Sequence, residues 1–173
     1  MCTHTANAGP LREEIERVVG EDECIRAALG RMWRLESFLK ESQRMKGMIL
    51  SDSCLLPMAP LRFTLQDVLL SNGTPLSAGT LVTAVTRSTH LDDANFPDTA
   101  TFDPTRFSSM SEEGSKNRRC YVSTTPTDIG FGHGRHTCPG RFFAADDLKI
   151  LLACVVIRYV VKFRGRGQEA AGE

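Results

Sequence analysis

The sequence predicts a mainly helical α+β domain, and three features of the chain lead to that prediction. Apolar residues recur at helical spacing over the first 46 residues and again near the C-terminus. Between these regions, residues 61–85 alternate in polarity and carry turn residues, which is typical of short strands. The stretch from His90 to Ile129 is rich in Asp, Pro, Ser and Thr and lacks periodicity, so it is expected to form a long ordered loop. At 173 residues, the chain can bury a hydrophobic core.

Three helices are predicted in the N-terminal third. The first, PLREEIERVVG, is expected to begin at Pro10, with Glu13 and Glu14 in the first turn, where the helix dipole favours acidic groups. Gly20 ends its apolar stripe, and a second short helix is expected to end at Gly30. The third, MWRLESFLKESQRMKG, carries an apolar stripe made of Leu35, Phe38, Leu39 and Met45.

The rest of the chain is expected to hold one hairpin, one helix and loose ends. Asn72 and Gly73 lie between two apolar runs, DVLLS and TPLSAGTLVTAV, and this pair is a strong signal for a hairpin turn. A helix is predicted from about Gly140 to Ile157, followed by a short strand at YVVKF. Residues 1–9 and 164–173 are expected to be disordered ends of a domain that takes in residues 1–173.

Composition excludes several classes of protein. The chain has 21 Lys and Arg and 21 Asp and Glu, and this zero net charge argues against nucleic-acid binding. No apolar run approaches the roughly 20 residues of a membrane span, and no signal peptide is predicted at the start of the chain. The six cysteines are irregularly spaced without a C-x-x-C motif, which favours a reducing compartment over a secreted disulfide framework.

Cys138 stands out because of its neighbours in FGHGRHTCPGRFFA. Thiolates are favoured beside cations and at helix starts, and a helix is predicted directly after this cysteine. Glycines at 132, 134 and 140 allow unusual backbone angles and the close approach of a bulky group, and Phe131 can cover one side. We interpret the segment as a thiolate presented to a large electrophilic partner, most simply a metal cofactor. The basic neighbours are Arg135, His136 and Arg141.

Three other interpretations of Cys138 remain open on local chemistry. A zinc site could use His133, His136 and Cys138, although a fourth ligand is not apparent and the spacing is unusual for zinc. A cysteine nucleophile would need a distant histidine, and His90 is available. A small buried cysteine is the commonest fate of a lone Cys, but that role does not explain the surrounding glycines and cations.

The motif formed by Phe131, Gly134, Cys138 and Gly140, F-x-x-G-x-x-x-C-x-G, resembles the haem-binding signature of the cytochrome P-450 family. The longer string FGHGRHTCPGRFFA is similar to members from filamentous fungi that work in biosynthetic pathways. Two further motifs stand upstream in the family's order. KESQR resembles the E-x-x-R of the K helix, and FDPTRF resembles the later P-x-R-F segment, although Thr105 stands where many relatives carry Glu.

This resemblance implies a fold and a structural network. The chain would be the C-terminal part of the family's fold, with a K helix, a small β-hairpin region, a meander loop, a cysteine-ligand loop and an L helix. Glu41 would lie between Arg44 and Arg106 and accept charge-assisted hydrogen bonds from both. That network would hold the irregular loop against the helix.

It also implies a cofactor and an activity. Cys138 would be the axial ligand of haem iron, and Arg62 and His136 would face the haem propionates, with His90 near the haem edge. The activity would be that of a haem-thiolate monooxygenase, which oxidises a small apolar organic substrate of a fungal secondary-metabolite pathway with dioxygen. Electrons would come from an NADPH-dependent reductase docked near a basic patch made of Lys116, Arg118, Arg119, Arg135 and Arg141.

The resemblance covers only the C-terminal part of the family. A full-length relative would be anchored to the endoplasmic reticulum and would work on its cytoplasmic side, but no anchor is present in this sequence. The central helix that crosses the oxygen side of the haem is also missing. Two hypotheses follow: a haem-thiolate monooxygenase, or a truncated, catalytically inactive remnant or haem-binding fragment.

Overall fold

The computed structural model describes residues 5–21, 25–46, 58–112 and 120–160. Within these ranges the chain forms helices and two small antiparallel sheets, which confirms the α+β prediction. The helices are α1 (Thr5–Glu21), α2 (Ile25–Arg31), α3 (Trp33–Lys46), α4 (Thr86–His90), α5 (Arg106–Glu112) and α6 (Arg141–Arg158). The strands are β1 (Met58–Phe63), β2 (Val68–Leu69), β3 (Pro75–Leu76) and β4 (Leu81–Val85).

The hydrophobic core lies between α1, α2, α3 and α6. Apolar residues of α1 recur three and four positions apart, so they share the face of the helix that is turned to the other three helices. Ile15, Val18 and Leu35 have no exposed surface. The core residues are Leu11, Ile15, Val18, Ala28, Leu29, Met32, Leu35, Ala153 and Val156, and Phe38 and Leu152 pack against them.

Helix α1 starts earlier than predicted. It begins at Thr5, so Pro10 lies inside the helix and residues 5–9 belong to it rather than to a disordered end. Glu14 is therefore not in the first turn. Its carboxylate instead accepts hydrogen bonds from the backbone N–H groups of Arg34 and Leu35, at 2.9 and 3.0 Å. These N–H groups begin α3 and have no partner within their own helix, so Glu14 caps α3 from a neighbouring helix.

The hairpin prediction is confirmed. Strand β2 pairs with β3 in antiparallel register, Val68 opposite Leu76. Gly73 has a φ of 85°, in the left-handed region that glycine tolerates, and its N–H donates to the carbonyl of Leu70 at 2.9 Å. The second sheet pairs β1 with β4, and Arg62 lies opposite Val82.

The region after β4 is more helical than predicted. Helix α4 follows β4 directly, and α5 lies inside the stretch that the sequence assigned to a loop. The first-turn N–H groups of α5, at Phe107 and Ser108, both donate to the hydroxyl oxygen of Ser37, each at 3.1 Å. Since Ser37 lies on α3, a contact distant in sequence stabilises the start of α5, and local periodicity does not reveal it.

The end of the chain agrees with the prediction as far as it is described. Helix α6 spans Arg141–Arg158, within a residue of the predicted limits. Tyr159 and Val160 are irregular, and the rest of the predicted YVVKF strand and the predicted C-terminal disordered end lie outside the described residues. The described helices include none long and apolar enough to span a bilayer.

Candidate functional site

Cys138 lies at the surface between a 3₁₀ turn, Gly134–His136, and the start of α6. Its N–H donates to the carbonyl oxygen of Phe131 at 2.9 Å, and its carbonyl accepts from Nη1 of Arg141 at 2.9 Å. The thiol itself is exposed and free. The backbone is therefore fixed from both sides, while the residue is exposed at the surface. This exposure rules out the interpretation of Cys138 as a small buried residue.

Two glycines give the loop its shape. Gly132 and Gly134 have φ values of 75° and 74°, in the left-handed region where a side chain is strained. The N–H of Gly132 donates to the carbonyl of Ile129 at 2.9 Å, so the chain turns back and Phe131 meets Cys138. At Gly134 and Gly140, a Cβ atom would meet no atom of the described residues within 4 Å. Open space therefore lies beside both residues, and a bulky group can approach the loop there.

Aromatic side chains flank the loop. The ring of Phe131 is half-buried and packs edge to face against Tyr121, with centroids 5.2 Å apart and an interplanar angle of 83°. Phe131 therefore anchors the base of the loop. Phe142 and Phe143, in the first turn of α6, are 56% and 73% exposed. They place an apolar surface a few residues after the thiol.

Arg62 and His136 lie together although 74 residues separate them in the sequence. Nη2 of Arg62, on β1, donates to the carbonyl oxygen of His136 at 2.9 Å. Both residues are exposed. The contact brings a permanent cation and a titratable ring to the turn that precedes Cys138. These groups can bind a carboxylate of an incoming ligand.

The structure does not support the zinc and nucleophile interpretations. Across the described part of the chain, no three His, Cys, Asp or Glu side chains form a group that could hold a metal ion. Nδ1 of His133 lies 3.2 Å from the hydroxyl of Thr124. His90 is buried, and its Nε2 accepts a hydrogen bond from the N–H of Ile129, so this nitrogen is not available to activate the Cys138 thiol.

Glu41, Arg44 and Arg106 form one buried network. The carboxylate of Glu41 has no exposed surface. It accepts from Nε and Nη2 of Arg44 at 2.7 and 2.8 Å, and from Nε of Arg106 at 3.2 Å. It also accepts from the N–H of Asp103 at 3.1 Å. The structure therefore brings together the three residues that the sequence selected.

Both arginines also bind the backbone of the long loop. Arg44 Nη1 donates to the carbonyls of His90 and Thr99, at 2.9 and 3.0 Å. Arg106 donates to the carbonyls of Pro97, Asp98 and Thr101. Because an irregular loop cannot satisfy its own carbonyls, guanidinium donors replace the partners that a helix or sheet would supply. The network thus holds residues 90–103 against α3.

Lys40 is a buried cation that the sequence analysis missed. Its ammonium is 2.7 Å from a carboxylate oxygen of Asp128, and it donates to the carbonyls of Cys120 and Ser123 at 2.7 and 3.2 Å. Its side chain is 3% exposed. Lys40 thus fixes the segment that leads into the cysteine loop.

Burial, with Glu36 nearby, raises the pKa of the Cys120 thiol, which keeps this second cysteine protonated at neutral pH.

A second buried ion pair joins α3 to α6. Nζ of Lys149 lies 3.0 Å from Oε2 of Glu36 and donates to the carbonyl of Leu29 at 3.2 Å. The other carboxylate oxygen of Glu36 accepts from the N–H of Tyr121 at 2.8 Å. A single lysine inside the apolar run DLKILLACVV was a signal for this contact. The pair fixes α6, which begins beside Cys138.

The predicted basic patch is described only in part. Lys116, Arg118 and Arg119 lie outside the described residues. Arg135 is exposed. Arg141 is half-buried, and its guanidinium stacks over the ring of Phe142 at 4.3 Å in addition to its bond to Cys138. Arg141 therefore binds the backbone of the cysteine loop.

Comparison with known proteins identifies a matching family and several relatives. A family model described as Cytochrome P450 matches residues 2–171. The chain is 48% identical over 162 residues to Cytochrome P450 monooxygenase 151 of Postia placenta, a match that covers 93% of this chain and 31% of the relative. It is 38% identical over 163 residues to Cytochrome P450 monooxygenase ntnM of a Nectria species, covering 94% of this chain and 30% of that protein.

A third relative is Cytochrome P450 monooxygenase notH of an Aspergillus species. The identity is 35% over 163 residues, covering 94% of this chain and 31% of the relative. All three relatives are fungal monooxygenases by name. The chain spans about a third of the length of the curated relatives it matches.

Proposed function

The chain belongs to the cytochrome P450 family, and we propose that it supplies the haem-thiolate part of a monooxygenase, with Cys138 as the residue whose sulfur would bind the haem iron. The observation that carries this proposal is the geometry at Cys138. Two backbone hydrogen bonds fix the residue, while its thiol is exposed at the end of a turned loop. When bound, haem would supply the activation of dioxygen, and a thiolate at Cys138 would favour it by donating electron density to the iron.

The residues around Cys138 fit a haem group. Open space beside Gly134 and Gly140 leaves room for a flat macrocycle. A Cβ atom at either position would extend into that space. Phe142 and Phe143 expose apolar surface in the first turn of α6, four and five residues after Cys138, and Phe131 packs the loop against Tyr121. Arg62 and His136 would bind the propionates, since Arg62 already donates to the turn at His136.

We assign the elements accordingly. Helix α3 corresponds to the K helix and α6 to the L helix, with the loop after α4 as the meander. The network of Glu41, Arg44 and Arg106 has a structural role: it holds the meander on α3 and takes no part in the chemistry. Lys40 extends this function to the segment before the cysteine loop. These residues position the ligand while Arg141 orients its backbone.

The substrate and electron donor follow by analogy with the relatives. We propose a small apolar organic substrate from fungal secondary metabolism, and an NADPH-dependent reductase that supplies electrons from the side that bears Cys138. The exposed Arg135 is available to an acidic partner there. We place this activity on the cytoplasmic side of the endoplasmic reticulum.

The experiment is a chimera that tests turnover. Residues 1–173 replace the matching 31% of the Postia placenta relative, and the chimera is assayed with a reductase, NADPH and isotope-labelled dioxygen on a panel of apolar organic compounds. We expect one labelled oxygen atom in the product, and no product from the chimera with Cys138→Ser. The parent relative is the positive control, and Cys154→Ser, which removes another exposed free thiol, is the matched control.

The same assay decides the alternative of an inactive remnant or haem-binding fragment. An active parent with a folded, haem-loaded but inactive chimera would favour that alternative. Product from the Cys138→Ser chimera would contradict the assignment of the ligand.

A further inference from the structure

We infer that His90 is a positioning residue: as the neutral tautomer protonated on Nδ1, it holds Ile129 and thereby the loop that presents Cys138. The inference deepens the proposed function and rests on it, because the position of Cys138 has this meaning only if its thiol binds the haem iron. It assigns His90 a role on the protein side of the cysteine loop, rather than a contact at the haem edge.

The tautomer follows from the hydrogen bonds of the ring. The N–H of Ile129 donates to Nε2 of His90 at 3.1 Å, so Nε2 carries no proton. A neutral imidazole then carries its proton on Nδ1. This nitrogen is buried and has no hydrogen-bond partner among the described residues. His90 is 1% exposed, and the Nε2 bond is the one ring hydrogen bond of full geometry to the described residues, while the backbone of Arg44 lies close to the ring.

A continuous series of hydrogen bonds leads from His90 to Cys138. Nε2 holds the N–H of Ile129, and the carbonyl of Ile129 accepts from Gly132 at 2.9 Å. The carbonyl of Phe131, inside that turn, accepts from the N–H of Cys138 at 2.9 Å. Loss of the first bond would remove one of the contacts that hold the base of the turn.

The backbone of His90 is fixed from the opposite side. Nη1 of Arg44 donates to the carbonyl of His90 at 2.9 Å, so the network around Glu41 fixes the main chain at this position. His90 therefore connects two parts of the molecule: its carbonyl belongs to the arginine network, and its ring belongs to the cysteine loop. Close packing of Gly130 on α3 restricts the loop further, since a Cβ there would lie 2.6 Å from the side chain of Gln43.

Burial and two nearby cations keep the ring neutral. Lys40 and Arg44 approach from α3, and Asp128 approaches from the loop, with its carboxylate oxygen 3.9 Å from Nε2 and therefore beyond hydrogen-bond distance. Asp128 is already paired with Lys40 at 2.7 Å. Burial is the largest influence, and together with the two cations it lowers the pKa of His90 below its ordinary value of 6.5, despite the opposing effects of Asp128 and of the Arg44 backbone. Protonation of Nε2 would break the bond to Ile129.

The test compares two variants of the full 173-residue chain without haem. His90→Gln keeps an acceptor near the position of Nε2, and His90→Leu removes it. Amide hydrogen exchange is measured at Ile129 and Cys138, with Ile15 and Val18 of α1 as the reference for the global fold. We expect exchange at Ile129 and Cys138 to be about tenfold faster in His90→Leu. In His90→Gln we expect it to stay within about twofold of the unmodified chain.

A pH series on the unmodified chain gives a second readout. Protection of Ile129 should be full above about pH 6.5 and should fall as the pH is lowered, after correction for intrinsic exchange. The Leu variant should lack this dependence. Equal exchange in the Leu variant and the unmodified chain, or equal loss in the Gln and Leu variants, would overturn the inference. If the Leu variant also loses protection in α1, its fold is perturbed and the pH series on the unmodified chain becomes the deciding measurement. Unchanged protection of Ile129 at acid pH in that series would overturn the inference.

These outcomes are independent of haem. If the haem-loaded Cys138→Ser variant keeps the red-shifted Soret band of a thiolate ligand, the proposed function fails, whatever the hydrogen-exchange result. If exchange is insensitive to the acceptor at residue 90 while Cys138 proves to be the ligand, only the role of His90 fails.

Discussion

Replacement of Arg44 by alanine tests the buried network most severely. The change deletes two charge-assisted hydrogen bonds to Glu41, at 2.7 and 2.8 Å, and two bonds to loop carbonyls, at 2.9 and 3.0 Å. Each hydrogen bond to a charged group contributes about 1.5–3 kcal/mol. The losses do not add fully, because Glu41 keeps Arg106 as a partner. A broken buried pair costs about 3–5 kcal/mol, and we adopt that range.

The assay is equilibrium unfolding in urea followed by circular dichroism. A chain of this size is expected to have an m-value of about 2 kcal/mol/M, so the midpoint should fall by about 1.5–2.5 M. Arg44→Lys keeps the charge without the planar guanidinium, so its unfolding midpoint should lie between those of the unmodified chain and Arg44→Ala. The matched control is Arg17→Ala, which removes an exposed pair with Glu21, 3.5 Å apart, and should leave the midpoint unchanged. A loss below about 0.5 kcal/mol for Arg44→Ala would refute the reasoning, because that is the range of solvated surface pairs.

The remaining predictions use the same unfolding assay. Gly134→Ala should lower the free energy of unfolding by about 1–2 kcal/mol because the φ of Gly134 is 74°. Gly140 has a φ of −80° and open space around it, so Gly140→Ala should change the free energy of unfolding by less than about 0.5 kcal/mol and should instead weaken haem binding in a titration. Equal effects of the two variants on the free energy of unfolding would contradict the assignment. Lys40→Met should cost about 3 kcal/mol, and a loss as small as that of Arg17→Ala would show that its buried contacts contribute nothing. Stability should be highest above about pH 6.5 and fall below it, since the unfolded chain protonates His90 more readily than the folded one, and His90→Gln should remove this part of the pH profile.

Helical periodicity was sufficient to predict much of this fold. The stripes of α1, α3 and α6 were visible because their apolar residues face one core, and the Asn72-Gly73 turn was visible because its chemistry is local. The boundary of α1 and the presence of α5 were not predicted. In the case of α5, a hydroxyl on α3 satisfies the first N–H groups, so the stabilising contact lies 70 residues away.

The candidate site shows the same division. Motif spacing selected Cys138, Glu41, Arg44 and Arg106, and the structure places the last three in direct contact. Spacing did not reveal the role of Lys40, because its partners are backbone carbonyls and a carboxylate at least 80 residues away. A buried charge that binds irregular backbone is hard to predict from a single sequence, because most lysines on helices are solvent-exposed.

Side chains of other residues hold the backbone of the loop around Cys138 and of the segment before it. Lys40 and His90 hold the two residues that precede it, and Arg141 holds the carbonyl of the cysteine itself. A ligand on a loop is displaced easily unless its backbone is fixed, and such supporting groups tune the metal that it binds. The structure therefore indicates that substitutions well away from Cys138 will alter its presentation.

The most direct measurement of the central claim is the absorption spectrum of the haem-loaded, reduced protein with carbon monoxide. We predict the strongly red-shifted Soret band that a thiolate ligand produces, in the unmodified chain and in Cys154→Ser, and its loss in Cys138→Ser. Cys154 is the appropriate control because it is also exposed and free but lies on α6. Persistence of the red-shifted band in Cys138→Ser would contradict the assignment of Cys138 as the ligand.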